Sequence, residues 1–508
     1  MKTSFCKLAL TLAVLSTLNS QLSTALAQGS LTPPGAPAPT MKTLDQIEAR
    51  MPLAGGTTPI IVSQPGSYYL TGNLSITGES GTNGIMIYVS NVTIDLNGFD
   101  LAGSGTTSGV GIIIAGGESN VTIRNGTIRN WGSHGINGAG NSRVRAENLR
   151  VLNNGGNGIL ADVNAEVLNC IAESNVGNGI KGLDNCTVKD SQAISTTGTN
   201  AVGISVGAAS IVTGCVARRN GGIGIAVKAG STLTNCTASF NTGLYGIGAE
   251  TGCTLTNCSA SNNTGFFGIA TSDACTLTNC TASFNTGTNS LSAGSGSTLT
   301  NCTASSNTAD AAINASSGST LTHCTASGNN SSQTSSYGIH ASTGSTVTDC
   351  TASGNSNSNA TASTDTGVGI YADSDSTVKG CTASGNKGDG IQFIVNCLIS
   401  GNNSSGNGVG GTGHGFHAVG SGSANGLNRI DGNQANTNTG YGISSRAEGG
   451  SKIDLVFRNN ATGNTLQNPG YPYLLPDYFP ALSGYDVGYY ISHDGTTDTP
   501  HLSPWGNW

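Results

Sequence analysis

Charge is scarce in this sequence: Asp, Glu, Lys and Arg together make up 9% of the 508 residues, with a net charge of −7. There is no Lys/Arg run and no interleaving of Arg with aromatic residues, so no nucleic-acid partner is expected. Long apolar runs are also missing. The single candidate, residues 8–15, is flanked by Lys2 and Lys7 and leads to Ala25-Leu26-Ala27. A positive start, a short apolar region and small residues at its end predict a secretory signal peptide over residues 1–27, cut after Ala27. That run is too short and interrupted for a bilayer span, and no other segment is apolar enough for a transmembrane segment. The expectation is a secreted protein, extracellular or at the cell surface. Paired cysteine clusters are lacking as well. Once Cys6 leaves with the leader, thirteen of the fourteen cysteines remain, an odd number whose spacing follows a repeat and not a disulfide framework.

What is present is that repeat. Thr232-Leu-Thr-Asn-Cys-Thr-Ala-Ser-Phe-Asn241 returns from Thr254, Thr276, Thr298 and Thr320, placing Cys236, Cys258, Cys280, Cys302 and Cys324 twenty-two residues apart. Outside this block the period drifts, through Cys170 and Cys215 upstream and Cys350, Cys381 and Cys397 downstream. An Asn follows each of these cysteines by five residues, from Asn175 to Asn402, and Gly-Ile pairs such as Gly224-Ile225 and Gly390-Ile391 mark the other end of most units. Low hydrophobicity with abundant Gly and Ser would otherwise suggest disorder; apolar positions this regular remove that reading for the middle of the chain.

A period near twenty-two fits a leucine-rich repeat or a parallel β-helix. Leucine-rich repeats need several leucines per unit, and this unit has one. Each unit divides instead into three short alternating β-prone pieces. Ile225 and Val227 should point inward on the first strand, Ser231 and Leu233 on the second, Cys236 and Ala238 on the third. Asn235 and Asn241 should occupy the bends in left-handed geometry. Coils stacked at ~4.8 Å turn equivalent residues into columns. The fold class predicted is all-β, a right-handed parallel β-helix of about 22-residue coils with three short strands each. The cysteines become small inward hydrophobes, mostly free thiols, with a second inward column at Cys186, Cys253 and Cys275. The Asn-x-Ser/Thr sequons are by-products of the repeat.

Four segments are expected. Residues 1–27 form the signal peptide and 28–42 a flexible Pro/Ala-rich leader. Residues 43–464 form the β-helix, opened by a short capping helix over 43–51 with Thr43 and Gln46 as a capping box. Residues 465–508 form an irregular C-terminal cap rich in Pro and aromatics. Pro65-Gly-Ser-Tyr-Tyr-Leu-Thr-Gly-Asn-Leu74 followed by Val92-Thr-Ile-Asp-Leu-Asn-Gly98 resembles the opening of secreted bacterial right-handed β-helix repeat proteins. Asn428-Arg-Ile-Asp-Gly-Asn433 and Pro504-Trp-Gly-Asn-Trp508 are similar to their later parts. The resemblance covers nearly the whole mature chain and implies the fold; the group carries no established activity or catalytic residues to transfer.

The wider fold class includes polysaccharide-cleaving enzymes, so chemistry must be tested at the residues. Gly413-His414-Gly415 matches the Gly-His-Gly of polygalacturonases, and Arg429-Ile430-Asp431 stands where they carry Arg-Ile-Lys, but the acidic motifs that should precede them are missing, and Gly-His-Gly arises easily in a chain this rich in glycine. No acidic column aligns with an Arg or Lys column, as a Ca²⁺-dependent pectate-lyase site requires. Weak catalytic candidates are Asp373, Asp375, Asp389, His414 and His417. Asp373 and Asp375 would share a face about 6.5–7 Å apart on a strand, although Asp-Ser-Asp after a strand reads more readily as a solvated turn. His414 and His417, three apart on a strand, should point to different faces, so no metal site is expected. The residue after each inward Ile should point outward; it is small in early coils and becomes Asn314, His340, Tyr371, Gln392 and His417 in later ones. That column is the candidate ligand-binding face, suited to an extended glycan. A neighbouring column, Tyr245, Phe267, Tyr337 and Tyr441, is read as packing inward.

The expected function is a secreted, non-catalytic β-helix rod, structural or adhesive, with an extracellular polysaccharide as its partner and no cofactor. The alternative is a polysaccharide lyase or glycoside hydrolase, with Ca²⁺ implied only for the lyase.

Overall fold

The computed structural model describes residues 50–77, 80–106, 108–331, 336–358, 367–419, 428–445 and 454–465, with the short strands Tyr489–Tyr490 and His501–Leu502. The chain divides into two compact units, residues 1–50 and 51–508, and apart from Arg50 the described residues belong to the second. They form a parallel β-solenoid of about 16 turns with no helix.

Each coil carries the three expected strands, for instance Ile225–Val227, Thr232–Thr234 and Thr237–Ser239. Strands of the coils pair in parallel with their equivalents one coil later. Ile225 thus lies over Ile247, Leu233 over Leu255 and Ala238 over Ala260. Alternation sends Ile225, Val227, Leu233, Cys236 and Ala238 inside, all at most 3% exposed, with Ser231 beside them. Thr232, beside the buried Leu233, faces out. The inward set matches the sequence expectation. Small groups suffice because three strands wrapped into one coil leave little width, and close packing at native density then leaves no room for larger ones.

The bends differ from expectation at one of their two positions. Asn235 is left-handed, with φ 55°, as its short polar side chain permits. Asn241 is not; the left-handed residue is its predecessor, Phe240 (φ 57°), and Asn262, Phe284 and Ser306 in the next coils. Asn241 turns inward and is fully buried. A buried amide needs four hydrogen bonds to be satisfied, and stacking supplies them. The Nδ2 of Asn263 donates to the carbonyl of Ala238 and to Oδ1 of Asn285, each at 3.0 Å. Its Oδ1 accepts the backbone N–H and the Nδ2 of Asn241, each also at 3.0 Å. Such rungs continue unbroken from Asn220 through Asn329 and Asn386 to Asn464.

The thiols are free and buried. Burial pushes Cys170 up to about 12 and Cys397 up to about 11, so neither ionises at neutral pH. Cys397 does not belong to the column read from its spacing. Leu398 lies over Thr377, which puts Cys397 over Ser376 in the second inward column; the third-strand cysteine column ends at Cys381 and continues as Asn402. The misreading has a simple cause. A five-residue step links Ser231 to Cys236 and another links Cys236 to Asn241, so Cys followed by Asn five later fits either step.

The expected capping helix meets the described residues only at its end. There Met51 opens the strand Met51–Leu53, paired in parallel with Tyr68–Leu70, and is not helical; strand pairing to the next coil supplies its backbone hydrogen bonds. The rest of 43–49, the signal peptide and the leader lie outside the described residues. So does the C-terminal cap, apart from Tyr489–Tyr490 and His501–Leu502, which pair antiparallel with each other.

Asn285→Ala strips the Asn263 N–H and the Ala260 carbonyl of their partners and should cost about 2–4 kcal/mol. Amide hydrogen exchange should accelerate in the coils on either side. Asn279→Gly, at an exposed left-handed corner, should stay within about 0.5 kcal/mol. Thiol titration of the native protein should find the cysteines between 170 and 397 unreactive, and denaturation without reductant should release all thirteen.

Candidate functional site

From Tyr245–Ala249 to Val368–Ala372 the first strand is five residues long and its burial does not alternate simply; in Ile391–Phe393 and Phe416–Ala418 it shortens to three. In Tyr337–Ala341, Gly338, Ile339 and Ala341 are buried while Tyr337 and His340 are not. Two consecutive inward residues shift the alternation at the glycine. Residues three apart, one before the Gly and one after the Ile, therefore share the outer side. A Cβ on Gly338 would lie 2.6 Å from the Gly369 carbonyl oxygen and 2.5 Å from the Asn355 amide, so only glycine lets the chain pass this close to its neighbours.

Stacking then lines up the expected column: Asn314 over His340, His340 over Tyr371, Tyr371 over Gln392 and Gln392 over His417. Contrary to expectation Gln392 is buried, with its amide turned to Asp389, so it offers no exposed group to the face. The column before the glycine runs beside it. The Tyr337 ring lies 5.2 Å from that of His340 and 4.8 Å from that of Tyr371, and the His340 and Tyr371 rings meet edge-on at 5.3 Å. Tyr337 thus packs with the outward column and not inward, and Tyr245 and Phe267, stacked at 5.5 Å, are likewise only half-buried. Burial pushes Tyr371 up to about 12, with the Asp373 carboxylate adding to it. Burial also lowers His340, although Asp373, 3.6 Å away, pulls the other way.

One coil further, Asp389 precedes Gly390 and is 2% exposed. Its Oδ1 accepts the backbone N–H of His414 at 2.6 Å, and its Oδ2 lies 2.5 Å from Nδ1 of His417 and 3.4 Å from the Gln392 amide. Burial alone would raise its pKa; the two histidines outweigh that and hold it below the usual carboxylate value. The His414 and His417 rings meet at 4.7 Å. They share a side, contrary to expectation, because His414 sits in the bend before Phe416–Ala418, where the alternation shifts.

His414 has a structural task. Its Nδ1 accepts the backbone N–H of Tyr441 at 2.9 Å, as Nδ1 of His134 accepts that of Asn157 and Oδ1 of Asn157 that of Asn178. An imidazole accepting at Nδ1 carries its proton on Nε2. Burial, with His417 adding to it against the pull of Asp389, lowers His414 to about 4. The ligand atoms of Asp389, His414 and His417 fall within 4.8 Å of one another. Two imidazoles and one carboxylate suit a transition metal and not Ca²⁺, and His414 would have to release Tyr441 to bind one.

The remaining candidates separate. Asp373 joins His340, but Asp375 lies in the turn after the strand, left-handed (φ 61°), with the Asn396 amide donating to it at 2.6 Å. The strand reading of that pair is therefore replaced by the turn. Arg429 and Asp431 lie on a second strand, Arg429–Asp431, and Asp431 is held by Arg458 and Arg429. They do not join His414 on the first-strand face. Sequence reasoning missed Tyr337 as part of the outer face and Asp389 as the partner of His417. The signal was available as the Gly between positions i and i+3.

These coils define a β-solenoid with a polar and aromatic lateral strip. The chain belongs to the right-handed β-helix family: the model for the right-handed β-helix region matches residues 60–207 and 265–428. No curated protein matches it. Among solved structures it is similar to the A-module of the mannuronan C-5 epimerase AlgE4 of Azotobacter vinelandii, with 17% identity and a TM-score of 0.33 over 70% of this chain and 91% of that one. It is also similar to the Dettilon tailspike protein, with 11% identity and a TM-score of 0.21 over 82% and 59%. The third is PfbA, a surface adhesin of Streptococcus pneumoniae, with 10% identity and a TM-score of 0.20 over 71% and 84%. At these values the similarities bear on neither site nor activity.

The histidine at 414 sets a pH expectation. Its folded pKa, about 4, lies below its ordinary 6.5, so protonation favours the unfolded coil. The neutral-pH stability is present above about 6.5 and is lost as pH falls toward 4, on the order of 3 kcal/mol in all. Hydrogen exchange around Tyr441 should rise across that window. His414→Asn, which restores the acceptor used at Asn157, should abolish the rise.

Proposed function

We propose that this protein is a secreted, non-catalytic β-helix rod that holds an extended extracellular polysaccharide along its lateral strip from Asn314 to His417. The observation that supports the reading most is the unbroken register of that column, with the Tyr337, His340 and Tyr371 rings packed against it. Successive hydrogen-bonding and ring-bearing side chains at ~4.8 Å present a repeating ligand with a repeating surface. Amphipathic rings suit the apolar faces of sugars, and the amides and imidazoles suit their hydroxyls. The leader, with cleavage after Ala27, would deliver the rod outside the cell.

A second reading, hydrolysis or lyase cleavage of the bound glycan, is favoured by one feature: the buried Asp389 carboxylate set against His417 Nδ1 at 2.5 Å. A carboxylate so placed fixes the ring and supports the imidazolium, as general acid–base catalysis requires.

The test is a panel of polysaccharides assayed both for retention and for release of reducing or unsaturated ends. The rod reading expects retention without release, weakened about tenfold or more by Tyr371→Ala, which deletes a ring stack worth roughly 1–3 kcal/mol. Release of new ends that Asp389→Asn abolishes would establish the enzyme instead.

A further inference from the structure

The charge of the same strip narrows its ligand, an inference that rests on the glycan-binding reading above. Among the described residues bordering the first-strand face from 310 to 418, the acidic groups are Asp310, Asp373, Asp375 and Asp389. Asp373 reaches into the strip, 3.6 Å from His340. Asp310 stands half-buried at the bend before the strand Ala311–Ala315, with Ser331 donating to it at 3.2 Å. Asp389 lies beneath His417. The lysine on this side, Lys387, keeps its charge while donating to the Asn357 carbonyl, and a protonated His417 would balance Asp389, which still leaves two more carboxylates than cations. The buried His340 and His414 are held neutral near pH 7.

The strip is therefore net negative where its rings and hydrogen-bonding groups are densest. A polyuronate would bring carboxylate against carboxylate, which costs affinity and slows encounter. An uncharged glycan lying on the rings would cover Asp373 without supplying a counter-charge, and covering an ionised group uncompensated is unfavourable. An ammonium on a sugar whose ring lay against Tyr337 and Tyr371 would meet the Asp373 carboxylate, while Asp310, at the other end of the strand and two coils away, adds negative field at longer range. We propose that the lateral strip is a site for a polysaccharide bearing free amines.

The test uses three soluble oligosaccharides of matched length: a chitosan oligomer, the same oligomer re-N-acetylated, and an oligogalacturonate. Binding to the full chain is measured at about pH 6, where amines are charged and carboxylates ionised, in low and high salt. The chitosan oligomer should bind tightest and weaken with salt. Asp373→Asn should weaken it about two- to fivefold, as for a half-exposed ion pair, Asp310→Asn by less, and both should leave the N-acetylated ligand unaffected. Equal or tighter binding of the N-acetylated ligand or of the oligogalacturonate, lost in Tyr371→Ala, would overturn the amine preference and leave the glycan reading standing. Retention of none of the three oligosaccharides would overturn both.

Discussion

Everything in this molecule depends on the hydrogen bonding of each coil to the next. A first strand finds its partners in the first strand of the following coil, a second in the second and a third in the third, so equivalent residues must lie directly over one another. The asparagine rungs complete that pairing inside the coil, where backbone N–H and carbonyl groups at the bend would otherwise be buried without partners. Each Asn is both donor and acceptor to neighbours of its own kind. No other side chain of that size offers two donors and two acceptors, which accounts for its persistence from Asn220 to Asn464. The cysteine column follows the same logic more loosely. Cys324 N–H points at the Cys350 sulfur at 3.3 Å and Cys381 N–H at the Asn402 oxygen at 2.8 Å, so Cys, Ser and Asn exchange wherever a small group can face that N–H.

A register this strict confines individuality to the outer face and to the bends. Through the central coils successive Asn rungs are 22 residues apart; from Asn329 onward the spacing becomes 26, 31, 21, 31 and 26. The same stretch replaces Ala226, Gly248 and Ala270 on the first-strand face with His340, Tyr371, Gln392 and His417. Irregular coil length and large polar side chains thus coincide over a few coils. The fold holds them in a straight row, whatever their chemistry, because the backbone beneath them is fixed from inside.

The architecture was legible in the sequence because the inward columns repeat: Ile225, Leu233, Cys236 and Ala238 all point where their alternation places them. The outer column was legible for the same reason. Failures arose where strict alternation was carried through a glycine or past a strand's end. His414 lies in a bend before its strand, and Tyr337, inside its strand, stands on the far side of a glycine that shifts the pattern by one residue. Asp375 lies in the turn that Asp-Ser-Asp after a strand favoured. Asn241 was placed at a bend because Asn tolerates left-handed geometry, whereas the fourfold hydrogen-bonding capacity of a buried amide decides its position. The Asp389–His417 pair, 28 residues apart, meets only through coil register, and the shift at Gly390 that sets Asp389 beside Gln392 was the signal passed over.

The central claim is that this rod acts through its irregular later coils and not through its repeated middle. Hydrogen-exchange footprinting of the protein saturated with a polysaccharide it retains tests that most directly. The account predicts new protection confined to Tyr337–Ala341, Val368–Ala372, Ile391–Phe393 and Phe416–Ala418. Protection centred on the threonine-bearing strands Thr254–Thr256, Thr276–Thr278 and Thr298–Thr300, with the later first strands unchanged, would contradict it.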